Sequence, residues 1–170
     1  LAIVLKGTQE SQTWNERGLE IARKSPDPKA QALIPAMLNN SAWELHEKGE
    51  YQQALALFEE ARAAWEARGG EKQLPVAHWS VARCLRSLGR HADALSIQKR
   101  LEAEHLRLGT TDGYVFEEIA ENLAALGRQD EAALYFAKAH EALSADPWMA
   151  EHESDRLASL LARAHKERPG

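Results

Sequence analysis

The fold this sequence predicts is an all-α stack of antiparallel helix hairpins, on three observations. A block of small and apolar residues recurs three times, with a glycine at the same place in each copy. Within each block the apolar residues return every three or four positions, the period of a helix and not of a strand. Asp-Pro pairs stand ahead of two further helical stretches, where an aspartate can cap and a first-turn proline is tolerated.

The first block runs from Ala42 through Leu45, Gly49, Tyr51, Ala54 and Phe58 to Ala61. The same offsets give Ala82, Leu85, Gly89, His91, Ala94, Gln98 and Leu101, and then Ala120, Leu123, Gly127, Gln129, Ala132, Phe136 and Ala139. A period of about 40 residues has room for two helices and their turns. Each glycine ends a helix at the left-handed position where a side chain is costly. The alanines let the two helices of a block approach closely, while residues such as Leu45 and Phe58 fill the space beside them. The second block is the weakest, because Gln98 and Leu101 stand where the other copies carry an aromatic and a small residue.

The stretches SAWELHEKGEYQQALALFEEA and IAENLAALGRQDEAALYFAKA resemble the tetratricopeptide repeat, with VARCLRSLGRHADALSIQKRL as the poorest copy. The resemblance covers residues 35–145 and implies a right-handed superhelix of hairpins. The repeat is longer than the family's usual one, so it resembles the long-repeat type and extended second helices are expected. The resulting division is a partial N-terminal hairpin and linker over 1–34, three repeats over 35–145, and a C-terminal capping helix and tail over 146–170.

The flanks follow in order. Residues 14–24 carry Trp14, Leu19, Ile21 and Ala22 and read as the second helix of a preceding hairpin whose start is cut off. Since the chain begins with Leu1 and not Met, it is expected to come from inside a longer protein. Ser25-Pro26-Asp27-Pro28 is a breaker, and a helix starting there meets Pro35 and should kink or restart. Asp146-Pro147 opens a last helix expected to reach Lys166. Its Met149, Leu157, Leu160, Leu161 and Ala164 would cover the last hairpin, with Glu151, Glu153, Arg156 and Arg163 facing water.

Composition excludes several function classes. A net charge of -5 without a Lys/Arg run argues against a surface for nucleic acid. The apolar run Leu1-Ala2-Ile3-Val4-Leu5 is far shorter than the roughly 20 residues of a membrane span. The single cysteine, Cys84, forms no internal disulfide and reads as a small apolar residue, which fits a cytoplasmic location. Histidines such as His46, His78, His105 and His152 lack the spacing of a zinc site, and no Gly-rich phosphate loop occurs. Acid pairs such as Glu59-Glu60 and Glu117-Glu118 read as solvated helix faces. No catalytic residue, cofactor or metal is expected, and the chain is read as not an enzyme.

Binding is what the resemblance implies, in a concave groove lined by the first helix of each repeat. The groove positions are Asn39, Asn40, Trp43, His46 and Glu47 in the first repeat, Trp79, Arg83 and Arg86 in the second, and Tyr114, Glu117, Glu118 and Glu121 in the third. Asn40 can pair with a peptide backbone, Trp43 and Trp79 can anchor an apolar side chain, and Arg83 and Arg86 can take a carboxylate or phosphate. A partner segment of apolar and acidic character would suit this set. Two readings stand for the tryptophans, groove exposure or burial between hairpins. Two stand for Arg83, ligand contact or pairing with Glu117 or Glu121.

The chaperone-binding members of the family grip a carboxylate with a basic clamp, and here Trp79 and Glu117 stand where basic residues are needed. The expected function is therefore a protein- or peptide-binding module or scaffold. The alternative is the ligand- or peptide-sensing region of a larger bacterial-type signalling or transcription regulator. If Leu1 to Leu5 is left bare by truncation, a homo-oligomer through that end is also expected.

Overall fold

The computed structural model describes residues 9–165, and the described residues form helices with no strand. In chain order these are α1 (Gln9–Lys24), α2 (Pro28–Ala32), α3 (Ile34–Glu47), α4 (Tyr51–Ala67) and α5 (Leu74–Ser87). They continue as α6 (His91–Arg107), α7 (Gly113–Ala125), α8 (Gln129–Ser144), α9 (Pro147–His152) and α10 (Ser154–Ala164). The chain is an all-α helical repeat. It divides into two compact units, Leu1–Leu88 and Gly89–Gly170. The apolar segment Leu1 to Leu5, and Lys166 at the expected end of the last helix, lie outside the described residues.

In the first unit α3 and α4 form a hairpin, with α1 packed on α3 and α5 on α4. Ala42, Ala54, Ala61, Ala77 and Ala82 are solvent-excluded, as are Leu38 and Phe58 beside them. Replacing an alanine by a larger residue would push helices apart, since close-packed interiors leave no room. The turn at Gly49 explains its residue: φ is +80°, the Gly49 N–H donates to His46 O at 3.0 Å, and the Glu50 N–H donates to Leu45 O at 2.9 Å. A Cβ there would touch nothing within 4 Å, so backbone conformation and not space selects glycine. Gly127 repeats this geometry, and Gly89 shares its positive φ. Gly69 and Gly109, which close α4 and α6, belong to the same class.

In the second unit α7 and α8 form the hairpin, α6 packs on α7, and α10 packs on α8. Ala120, Leu123, Ala132, Phe136 and Ala139 are buried as their offsets require. The second helices are the longer ones, with 17 residues in α4 and α6 and 16 in α8, against 14, 14 and 13 in α3, α5 and α7. The weak second block keeps its misfit, because Gln98 is 0% exposed and neither amide atom has a hydrogen-bond partner among the described residues. An unpaired buried polar group of this kind costs about 1–3 kcal/mol.

The caps form at the expected places. Asp27 accepts from the Lys29 N–H at 2.9 Å and Asp146 from the Trp148 N–H at 2.9 Å. Pro35 does restart the helix, for α2 ends at Ala32 and α3 begins at Ile34, which places the proline in a first turn. Among the described residues no helix is long and apolar enough to cross a membrane.

Three expectations are corrected. Trp14 and Ile21 are 48% and 69% exposed, and the buried stripe of α1 is Asn15, Leu19 and Ala22. Asn15 is drawn in because its Nδ2 donates to Met37 O at 2.9 Å and to Ser41 Oγ at 2.6 Å, which satisfies a polar group against α3. The last helix is two helices, broken at Glu153 with φ -126° and ψ 31°. Met149 in α9 and Leu157 and Leu160 in α10 are all buried, while Leu161 is left exposed. Finally, Arg156 and Arg163 do not simply face water but hold carboxylates of α7.

Candidate functional site

Of the groove residues in the first unit, α3 and α5 bring together Trp43, His46, Trp79 and Arg83. The Trp43 ring meets Phe58 edge-on at 4.9 Å, His46 at 5.3 Å and Trp79 at 6.0 Å between centroids. Phe58 lies in the core, so Trp43 is half-buried and supported from below. Trp79 is also half-buried. Each ring packs on a neighbour and keeps some surface.

Polar groups surround this aromatic cluster. His46 Nε2 lies 2.9 Å from Ser87 Oγ, and Arg83 Nη1 donates to the same hydroxyl at 2.7 Å. Burial, then the positive charges of Arg83 and Arg86, hold the His46 imidazole below its ordinary value, with Glu47 opposing. Asn40 and Glu47 are exposed, and Arg86 is half-buried. Two side-chain atoms, Asn39 Oδ1 and Trp79 Nε1, are buried with no hydrogen-bond partner among the described residues. Ser87, which joins His46 to Arg83, was not singled out from the sequence. Its signal is the i, i+4 spacing from Arg83 on one helix face.

Cys84 lies beneath this surface, where its thiol donates to Tyr51 O at 3.2 Å. Burial pushes the thiol up to about 11, so the thiolate is scarce near neutral pH. Among the described residues no group of three His, Cys, Asp or Glu side chains is placed to hold a metal ion.

The third-repeat positions meet different partners. Arg156 from α10 donates through Nε to Glu117 Oε1 at 3.0 Å, and Arg163 donates through Nη2 to Glu121 Oε2 at 3.0 Å. The Arg156 guanidinium lies 5.4 Å from the Tyr114 ring centroid and that of Arg163 lies 3.8 Å from Phe136. Glu118 is buried beside them, where Asn122 Nδ2 donates to its carbonyl at 2.7 Å. The exposed ring of Tyr114 brings its hydroxyl 3.5 Å from Met149 Sδ. The arginines come from 39 and 42 residues away, which no local spacing announces.

Residues 33–103 match the tetratricopeptide repeat family. The third block lies beyond the matched residues and joins them through the same glycine, alanine and phenylalanine offsets. No curated protein matches the chain.

Proposed function

Residues 33–103 match the tetratricopeptide repeat family, and from that premise we propose a protein- or peptide-binding module that works through the surface of α3 and α5. Repeats of this family generally mediate protein–protein interaction. The contact residues are Asn39, Asn40, Trp43, His46, Glu47, Trp79, Arg83 and Arg86. The observation that carries the reading is the Trp43–Trp79 pair, two half-buried rings 6.0 Å apart between centroids on α3 and α5. The half-buried indole faces of Trp43 and Trp79 take an apolar side chain, and the exposed amide of Asn40 pairs with a peptide unit. Arg83 and Arg86 favour an acidic group in the bound segment. The working region is the three repeats over 35–145. Within it Glu117 and Glu121 are engaged by α10, so the partner contact is assigned to the first unit.

The test begins with affinity purification and mass spectrometry to name a partner, followed by calorimetry on the full chain. Replacing Asn40 by Ala or Arg86 by Glu should weaken binding by about tenfold or more, the range of an interface hot spot. The melting temperature of the Asn40 variant should stay near the parent value, because Asn40 is exposed. Undiminished binding by a variant carrying both changes would remove the α3/α5 surface from the reading.

A further inference from the structure

The unit Gly89–Gly170 holds a cavity of 770 Å³, within the range of ligand sites. Its wall is built from the C-terminal half of α6, the loop into α7, the first turn of α7 and the C-terminal half of α8. Val115, Phe116, Leu106 and Ala142 give it an apolar lining, and it shares no residue with the α3/α5 surface. Leu106 and, two residues on, Leu108 are 78% and 59% exposed.

The charges around the cavity are unevenly engaged. Lys138 Nζ lies 3.8 Å from Glu102 Oε1, and 4.4 and 5.6 Å from the centroids of Tyr135 and Phe116. Glu102 is shared, for Lys99 Nζ lies 3.0 Å from its Oε2 and Tyr135 donates to its Oε1 at 2.8 Å. The other two carboxylates of the lining, Asp112 and Glu141, are less engaged. Asp112 uses Oδ1 to cap α7, and its Oδ2 stands 3.9 Å from His105 Nε2, whose ring also meets Thr110 Oγ1 at 3.0 Å. Glu141 is exposed and has no ion-pair partner among the described residues. The unmatched charge at the cavity is negative.

We infer that this cavity docks a partner protein segment carrying large apolar side chains beside Lys or Arg. The apolar side chain fills the space over Val115 and Phe116, and the basic group reaches Glu141 and the outer oxygen of Asp112. A segment, and not a free small molecule, is the occupant because Leu106 of the lining is 78% exposed and Leu108, two residues on and outside the lining, is 59% exposed. A ligand that covers Leu108 as well as Leu106 must extend past the lining, and that burial adds to the affinity. Its basic character is opposite to the acidic character assigned to the partner of the α3/α5 surface, so the two sites select different chemistry.

Fluorescence anisotropy on the full chain tests this with labelled peptides of about twelve residues at helical spacing. One carries Leu and Lys, one Leu and Glu, and one Ala and Lys. The Leu/Lys peptide should bind, the other two at least about tenfold more weakly, with affinity falling as salt is raised. Leu106→Asp and Glu141→Lys should each weaken the Leu/Lys peptide by about tenfold while keeping the melting temperature. Both positions are exposed. Glu141→Lys should also bind the Leu/Glu peptide better than the parent does, a gain that loss of fold cannot imitate. The double variant Asn40→Ala/Arg86→Glu should leave Leu/Lys binding unchanged, which separates this site from the α3/α5 surface. Equal binding of the Leu/Lys and Leu/Glu peptides would overturn the inference. So would indifference to both cavity variants, or displacement by free hexylamine at the affinity of the peptide.

Discussion

Asn39 and Glu117 hold the same place in their repeats, three residues before Ala42 and Ala120, and Trp43 and Glu121 likewise follow those alanines by one. The two helices that carry them are finished differently. On α3 the Asn39 oxygen is buried and unpaired, and Trp43 packs in an aromatic cluster. On α7 both carboxylates are held by arginines of α10, which also lie against Tyr114 and Phe136. A repeat position thus has no fixed fate. On α7 the chain supplies its own counter-charge, whereas on α3 the Asn39 oxygen stays unpaired among the described residues.

The largest effect that tests this contrast comes from the apolar face that seats the arginines. Leu160 is 3% exposed in α10. Leu160→Ala should cost about 2–4 kcal/mol in denaturant unfolding, the usual range for a buried leucine. A cost below about 1 kcal/mol would mean that the ion pairs alone hold α10, reversing the order of effects expected for half-exposed pairs.

Where local spacing decides the structure, the sequence is legible. Gly49 and Gly127 close their helices with the same positive φ, and the alanines that follow or precede them are excluded from water, because a hairpin is built from contacts close in sequence. Asp27 and Asp146 cap their own next turns for the same reason. Legibility fails where rotation of a helix depends on its neighbour. In α1 the apolar residues Trp14 and Ile21 look like the core, yet α3 offers Met37 O and Ser41 Oγ to an amide, and Asn15 turns inward instead.

The site divides along the same line. Trp43, His46, Trp79 and Arg83 come together on α3 and α5, and the resemblance to the tetratricopeptide repeat is what points to them. Ser87, which links His46 and Arg83, and the pairing of Arg156 with Glu117 depend on how separate helices pack, which no local spacing encodes. The break at Glu153 was equally hidden, since no proline or glycine marks it and Met149 and Leu160 are buried on either side.

A smaller pair of effects compares the matched positions directly. Glu117→Ala leaves Arg156 without its carboxylate and should destabilise by about 1 kcal/mol. Asn39→Ala removes an unpaired buried acceptor and improves helix propensity, so in the protein without a partner it should stabilise by about 0.5–1 kcal/mol. Opposite signs at equivalent positions, read from denaturant midpoints, would support the contrast. A destabilising Asn39→Ala would mean that its amide already serves the folded chain.

The smallest expected effect is the dependence of the α3 surface on pH. Burial and then Arg83 and Arg86 lower the His46 value below its ordinary 6.5, whereas the matching place on α7 is Ala124. Between the folded and unfolded values the unfolded imidazole binds more protons, so stability falls as the pH drops. The contribution is present above about 6.5 and is lost as the pH passes down through the folded value. Its slope cannot exceed about 1.4 kcal/mol per pH unit for one proton. His46→Ala, which installs the residue found on α7, should flatten the acid side of the stability profile. Because Ser87 and the neighbouring rings also lose a partner, the informative measurement is the change in slope from thermal melts across pH 5–8, taken at the range where histidine titrates. An unchanged slope would place the acid sensitivity elsewhere and remove His46 from the features that distinguish the two helices.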